Sequence, residues 1–287
     1  MKTILYSTDF SENSAAALNY SYSLSQQLDA RLVITHVFDY PTILGLEGLD
    51  EPFPHLEENA FEANLKKLNE FCKKHLGKKI DNPNIQLEVV EDTSVTNGII
   101  SKAQEWNAFM VVVGMRGSSV LREMVMGNTT KHLIKKAPCP VLAIPSEIRQ
   151  MTLQTIVYAT DFEEEDIYAI KKLVELAKPI HAKIKVVHIV TKKEYSGDLQ
   201  MAWFKEMLKT KVDYPKINFE LIVSENVFGS LKNFIGDNNG DLIVMLEREH
   251  KGLVKKIFHD DLVKKMESYG KVPLMSFNEH NYQNVLL

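Results

Sequence analysis

Three glycines and an asparagine stand at a regular spacing in the first half of this 287-residue chain, as Gly114-x2-Gly117-x9-Gly127-Asn128. Glycine has no Cβ, so the backbone at Gly114 and Gly117 can turn sharply and approach a bound group closely. Gly127 stands where a helix is expected to begin, and the free N–H groups of a helix N-terminus suit a phosphate. The spacing therefore predicts a phosphate cradle, although the Walker sequence GxxxxGK[ST] is absent from the chain.

The alternative is that this loop is only a tight turn with no ligand. Polar neighbours favour the cradle, because Thr129 follows Asn128 at the predicted helix start and Arg116 lies inside the loop. A second group of polar residues, Thr8 and Asp9, follows the first apolar run of the chain. In an open parallel sheet, loops of this kind meet beyond the carboxyl ends of the strands, where ligands bind.

Alternating strands and helices must position these loops. The apolar runs are short and rich in Val, Ile and Leu, which is typical of parallel strands covered on both faces. Segments with helical spacing separate them, the first opening on Ser11 as an N-cap. The predicted strands are 3–8, 32–38, 85–90, 109–114 and 141–145, and the predicted helices are 11–28, 56–76, 95–106 and one from Gly127 to before Pro138.

The chain also repeats itself. TILYSTDF at 3–10 recurs as TIVYATDF at 155–162, and further matches follow in the same order. Repeats decide the fold when they are present. The predicted fold is therefore α/β, with two duplicated doubly wound (Rossmann-like) domains at 1–147 and 152–280, each a five-stranded, mainly parallel sheet flanked by helices.

Taken together, the glycine spacing, the opening ILYSTDFS and the ending APCPVLAIP resemble the universal stress proteins, and the resemblance covers both halves. ATP-binding members of that family carry G-x2-G-x9-G followed by Ser, Thr or Asn. The resemblance implies a stress-response or regulatory protein that binds ATP, with or without Mg²⁺, or a related adenine nucleotide.

The resemblance also assigns roles. It implies that Asp9 lies near the adenine base and that Val37 lines the adenine pocket. It implies ribose and phosphate contacts for Gly114, Gly117, Gly127, Asn128 and Thr129, to which Arg116 could add. Asp9 has an alternative role as the cap of the first helix, because its counterpart Asp161 persists where the glycines are lost.

The second copy keeps none of the glycines. Gly114 lies opposite Leu246 or Glu247 and Gly127 opposite His259 or Asp260, depending on a one-residue gap. The acids of this region, Glu247, Glu249, Asp260 and Asp261, would repel phosphates. We therefore predict that the second half binds no ATP.

Composition excludes several classes of protein. The net charge of −4 argues against non-specific nucleic-acid binding, and no apolar stretch is long enough for a membrane helix. The two cysteines, Cys72 and Cys139, build no disulfide framework and fit a reducing, cytoplasmic setting. His36 and His188 recur at equivalent strand ends, which favours a structural hydrogen bond over catalysis.

Three functions compete. The first is a nucleotide-responsive regulatory protein with at most slow ATP hydrolysis, because no acidic pair or Walker lysine accompanies the loop. The second is a nucleotide-independent interaction scaffold that uses the apolar segment 39–54, and the third is an adenylating enzyme. Pairing of the apolar last strands, 141–144 and 272–277, would make an intrachain pseudo-dimer and leave room for a further homodimer of chains.

Overall fold

The computed structural model describes residues 1–39, 54–117, 124–125, 127–148, 151–190, 197–248, 270–278 and 281. The apolar segment 39–54 and the acids Glu249, Asp260 and Asp261 fall largely or wholly outside these residues. The strands are β1 (Thr3–Ser7), β2 (Arg31–Phe38), β3 (Ile85–Glu91), β4 (Met110–Gly114), β5 (Arg116–Gly117), β6 (Met124–Val125), β7 (Val141–Ile144), β8 (Thr155–Ala159), β9 (Lys183–Val190), β10 (Ile217–Val223), β11 (Leu242–Glu247) and β12 (Leu274–Asn278).

Seven α-helices lie within the described residues. They are α1 (Glu12–Gln27), α2 (Pro54–Leu76), α3 (Val95–Glu105), α4 (Asn128–Lys136), α5 (Glu164–Ala177), α6 (Gly197–Lys211) and α7 (Val227–Asp237). As predicted, Ser11 caps α1, because its side chain accepts a hydrogen bond from the backbone N–H of Ser14. The acidic run before α5 makes a capping box between Glu163 and Asp166.

Ten strands form one continuous sheet in the order β10-β9-β8-β11-β12-β7-β4-β1-β2-β3. Every neighbouring pair is parallel except β7 and β12, which run antiparallel with Leu274 opposite Ala143 and Ser276 opposite Val141. The sheet is thus two parallel five-stranded halves with the same internal order, joined through their last strands. This confirms the predicted α/β, doubly wound fold, and the two edges predicted to need covering cover each other.

Alternation along the strands divides the core between the two faces of the sheet. Ile4 and Tyr6 belong to one buried cluster, together with Leu18 of α1 and Ile170 of α5. The intervening Leu5 belongs to the other cluster. Apolar side chains of α3, α4 and α7 complete that second cluster, through Ile99, Leu133 and Leu231. Burial on both faces explains why the strands are apolar throughout.

Two short features were not predicted. A 3₁₀ helix, Gly77–Asp81, follows α2. The two residues of β5 pair antiparallel with those of β6, Arg116 with Val125 and Gly117 with Met124, so a small ribbon closes the loop between β4 and α4. The glycine spacing indicated a turning loop but carried no apolar alternation that would predict strand pairing.

Candidate functional site

A cleft of about 680 Å³ lies at the carboxyl ends of β1 and β4. From β1 the chain continues to β2 and β3 on one side, and then returns to β4 and β7 on the other. Ligands of doubly wound folds bind at such a reversal of strand order. The cleft is lined by four segments: the β1–α1 loop, the start of α3, the end of β4 and the start of α4.

The structure brings most of the predicted site residues together in this cleft. Asp9, Gly114, Gly127, Asn128 and Thr129 all line it. Further lining residues that the sequence did not single out are Ser7, Asn13, Ser14, Val95, Ile99, Val113, Met115, Thr130 and Lys131. Their contribution depends on the chain fold, which places the start of α3 beside the start of α4, and no local motif signals it.

The first residues of α4 line the cleft. Gly127 is the N-cap residue, with φ −65° and ψ 158°, and no side chain of the described residues caps this helix. The N–H of Lys131 donates to the carbonyl oxygen of Gly127, so the first hydrogen bond of the helix closes one turn in. The N–H groups of Asn128, Thr129 and Thr130 come before that bond and have no partner within the helix. They lie at the positive end of the helix dipole.

Asp9 lies next to the first helix and at the wall of the cleft. Its carboxylate Oδ1 accepts a hydrogen bond of 3.0 Å from the backbone N–H of Ser11, which steadies the entry to α1. The cap itself is Ser11, so the alternative that Asp9 caps the helix is wrong. Asp9 is also exposed and lines the cleft.

The sequence suggested that Gly114 allows close approach to a bound group, but in the structure its close neighbour is the backbone of α1. A Cβ at this position would meet the backbone oxygen of Asn13 at 3.1 Å and the Cα of Ser14 at 3.2 Å. The close approach is therefore made to the first turn of α1, and the absence of a side chain brings that turn against the end of β4. Gly114 shapes the cleft by letting two of its walls meet.

Val37 does not line the cleft. It is buried at the end of β2, and its Cγ1 lies 2.8 Å from the position that a Cβ on Gly98 would take. Val37 therefore supports α3, the helix whose Val95 and Ile99 reach the cleft. Arg116 and Gly117 lie in the β5–β6 ribbon, and the orientation of the Arg116 side chain is outside the described part of the structure.

His36 has the structural role that its recurrence predicted. Its Nδ1 lies 2.8 Å from the carbonyl oxygen of Thr8, and the ring stacks at 4.1 Å on Phe10, which has a positive φ of 61°. His188 and Phe162 repeat this arrangement, with Nδ1 2.6 Å from the carbonyl oxygen of Thr160. Burial lowers the pKa of His36, with the bond to Thr8 opposing that shift.

Strand pairing resolves which residues of the second half correspond to the glycine loop. Ile4 pairs with Met110 in the first half, and its counterpart Ile156 pairs with Leu242 in the second. Counting along both strands places Leu246 opposite Gly114. By the same register, Arg248 lies opposite Arg116.

Arg248 directly follows β11, and its side chain lies among carboxylates at the start of α5. Its guanidinium is nearly buried, with Nη2 3.0 Å from Oδ2 of Asp166 and Nη1 2.8 Å from Oε2 of Glu163. Asp161, the counterpart of Asp9, lies 3.7 Å from Nη1. Asp166 stands where the first half has Ser14, and it also accepts hydrogen bonds from Tyr158 and Thr160. Burial raises the pKa of Asp166, and the charge of Arg248 opposes that rise.

This cluster adds a cation to the charges of the second half. Glu247 is buried, and the next residue, Arg248, is surrounded by three carboxylates, while Glu249, Asp260 and Asp261 lie outside the described residues. Arg248 was not predicted to take part, because its partners lie more than eighty residues earlier in the chain. The persistence of Asp161 without the glycines follows from its contact with this arginine.

The described residues offer neither a cluster of metal ligands nor a membrane-spanning helix. There, no cluster of three or more His, Cys, Asp or Glu side chains has a geometry that could hold a metal ion. None of the helices traced there has the length and apolar character needed to span a bilayer. Cys72 and Cys139 are buried, and burial raises the pKa of each thiol to about 12, which fits the packing role predicted for them.

Comparison with known proteins agrees with this geometry. Residues 1–145 match the model of the universal stress protein family. A universal stress protein of Methanocaldococcus jannaschii is 28% identical over 157 residues, covering 50% of this chain and 94% of that protein. A solved universal stress protein of Archaeoglobus fulgidus covers 96% of this chain and 98% of its own, with a TM-score of 0.66 at 16% identity.

Two further structures complete the comparison. A protein of unknown function from Pseudomonas aeruginosa covers 100% of this chain and 95% of its own, with a TM-score of 0.62 at 13% identity. Both full-length likenesses show that the whole arrangement of two halves has solved counterparts. A universal stress protein in complex with cAMP covers only 44% of the chain with a TM-score of 0.37, a likeness too low to bear on the ligand here. From the family match over its first half and the fold of the whole, the chain belongs to the universal stress protein family.

Proposed function

We propose that this chain binds ATP or a related adenine nucleotide in the cleft of its first half, and that binding serves regulation in a stress response. One observation carries the proposal: three separate segments, at Asp9, Gly114 and Gly127–Thr130, converge on one cleft at the reversal of strand order. Loops that meet at this point are where doubly wound folds hold nucleotides.

The start of α4 is suited to the phosphates. Its N-cap is a glycine without a capping side chain, so the N–H groups of Asn128, Thr129 and Thr130 are left to a ligand. The same positions carry amide and hydroxyl side chains, and Lys131 adds a positive charge at the cleft wall. Asn128 is exposed, while Thr130 is buried beneath the turn.

The part of the cleft at the start of α3 and the end of β4 is suited to an uncharged aromatic base. Val95, Ile99 and Val113 give it apolar walls. The carboxylate of Asp9 is exposed at the cleft wall, and carboxylate oxygens are acceptors for a donor such as the exocyclic amine of adenine. Val37 would act behind this wall by holding α3 in place.

The second half is proposed to bind no ATP, because its own side chains take the place of a ligand. Leu246 stands where Gly114 allows the walls to meet, and the Arg248 guanidinium lies among Asp161, Glu163 and Asp166. A phosphate would have to compete with these carboxylates for the arginine. Breaking a buried ion pair by removing one partner costs about 3–5 kcal/mol.

The joined edges of the two halves support an intrachain pseudo-dimer as part of this proposal. In it, β7 and β12 make the contact that the last strands of two separate chains would otherwise make. A regulatory binding role fits this proposal better than turnover, because it assigns Asp9 to the base and no acidic residue to the phosphates.

Isothermal titration with ATP, with and without Mg²⁺, tests the proposal directly. We expect saturable binding with one site per chain, and loss of binding in Gly127→Glu, which puts negative charge at the start of α4. Gly236→Glu is a matched control, since Gly236 is exposed on α7 with no atom within 4 Å of a Cβ there. Failure of the unaltered chain to bind would refute the proposal, and two equal sites would refute the assignment to one half.

The second candidate is a nucleotide-independent scaffold. It is favoured by Leu199 and Trp203, which lie one turn apart on α6 with 76% and 47% of their surfaces exposed. Such side chains are typical of contact sites for other proteins. A stable partner whose binding is lost in Leu199→Asp and unaffected by ATP would support this function.

A further inference from the structure

The second half reaches across the joint to the carboxyl end of α4. The side-chain Nδ2 of Asn278, the last residue of β12, donates to the carbonyl oxygen of Ile134 at 2.8 Å and to that of Ala137 at 3.1 Å. Asn281 adds a bond of 3.0 Å from its Nδ2 to the same oxygen of Ala137. Asn281 is itself held by Asn278, whose backbone N–H donates to its Oδ1 at 3.0 Å.

These bonds satisfy carbonyl groups that a helix cannot satisfy by itself. The last four carbonyl oxygens of an α-helix lack partners within the helix. Asn278 is 2% exposed, and its Oδ1 has no hydrogen-bond partner within the described ranges, so only the NH₂ group of this buried amide is used. An asparagine whose oxygen is buried without a hydrogen bond is costly. We therefore infer that Asn278 is present for the two hydrogen bonds that its NH₂ group donates.

The two halves differ at the position of Asn278. Gly114 pairs with Ile144 in the first half, and Leu246 pairs with Phe277 in the second. The residue of the first half that corresponds to Asn278 is therefore Pro145, which has no side-chain donor. The second half holds α4 of the first half by a side chain whose counterpart, Pro145, offers no such donor.

We propose that Asn278, assisted by Asn281, is a positioning residue: it holds α4, and α4 in turn holds the nucleotide phosphates. This rests on the proposed function, in which the opposite end of the same helix receives the phosphates. The helix has nine residues and is therefore about 13.5 Å long, so a shift at its carboxyl end moves Gly127 and Asn128 as well. The half that has no site of its own would thus set the geometry of the site in the other half.

Two ligands separate positioning from general stability. Asn278→Leu removes both donors, and we expect ATP affinity to fall about tenfold while adenosine affinity changes less than twofold, because only ATP has phosphates for α4 to hold. Asn281→Ala is the milder variant for use if the first fails to fold, with an expected loss of about threefold for ATP. Gln27→Ala is the control, since it removes a bond of 2.9 Å to Met151 at the connection between the halves and does not touch α4.

Hydrogen exchange of the nucleotide-free protein gives a second readout. Asn278→Leu should speed exchange at the N–H groups of α4, and Gln27→Ala should leave them unchanged. Equal losses for ATP and adenosine, or unchanged exchange in α4, would overturn the inference while leaving the nucleotide site intact. If the unaltered chain binds no ATP, the proposed function fails and this role fails with it.

Discussion

Removing Arg248 should destabilise the second half strongly. The guanidinium is 5% exposed and Asp166 is 1% exposed, so Arg248→Met leaves a buried carboxylate without its cation. The cost of breaking such a buried pair is about 3–5 kcal/mol. Glu163 and Asp161 are 37% and 43% exposed, and solvent screens their contribution to roughly 1 kcal/mol or less. We therefore expect the loss to come almost entirely from Asp166.

The first half shows how the loss should be repaired. At the position of Asp166 it has the uncharged Ser14, whose carbonyl oxygen accepts a hydrogen bond from Tyr6 and whose hydroxyl bonds to that of Thr8. Adding Asp166→Ser to Arg248→Met removes the uncompensated charge, and we expect the double variant to recover to within about 1–2 kcal/mol of the unaltered chain. The stability of Asp166→Ser alone should lie between that of Arg248→Met and that of the double variant.

Urea unfolding followed by tryptophan fluorescence measures these differences. Trp203 lies on α6 in the second half, and a Trp106→Phe background makes it the sole tryptophan of the chain. A loss below about 1 kcal/mol in Arg248→Met, or a double variant no more stable than that single one, would refute the view that a buried ion pair fills this region.

Three further outcomes are expected. Gly114→Ala should destabilise by about 1–3 kcal/mol in urea unfolding, because its Cβ would press on the α1 backbone, whereas Gly236→Ala, in open space on a helix, should stabilise by up to about 1 kcal/mol. Because burial lowers the pKa of His36, the unfolded chain holds that proton more tightly, and stability is lost as pH falls below about 6.5; an NMR titration midpoint at or above 6.5 would contradict this. Cys72 and Cys139, with pKa values of about 12, should resist a thiol reagent at pH 8 until urea is added, and rapid labelling of the native protein would argue against their burial.

The fold was largely predictable because its signals are local. Short runs of Val, Ile and Leu gave the strands, Ser11 gave the start of α1, and Gly127 gave the start of α4 within a residue. Duplication of the TDF segment gave the second half. The β5–β6 ribbon was not predictable, since two residues on each side carry too little pattern to indicate pairing.

The site was predictable in its location but less so in its reasons. Gly114 has the predicted place, yet its glycine is explained by Asn13 and Ser14 of another element. Arg248 gave no signal, because its meaning depends on Asp166, eighty-two residues away in sequence and adjacent only in the folded chain. Contacts at that range follow from topology and register, which a single sequence indicates only in outline.

The antiparallel joint between β7 and β12 has a consequence for how the protein behaves on dilution. Two separate chains that paired through their last strands would come apart as their concentration fell, and each would carry a copy of the same site. Here both strands belong to one polypeptide, so their pairing is independent of concentration and the stoichiometry of the two halves is always one to one. Such a covalent arrangement lets the two copies change their sequences separately, because neither can meet a partner other than its own neighbour.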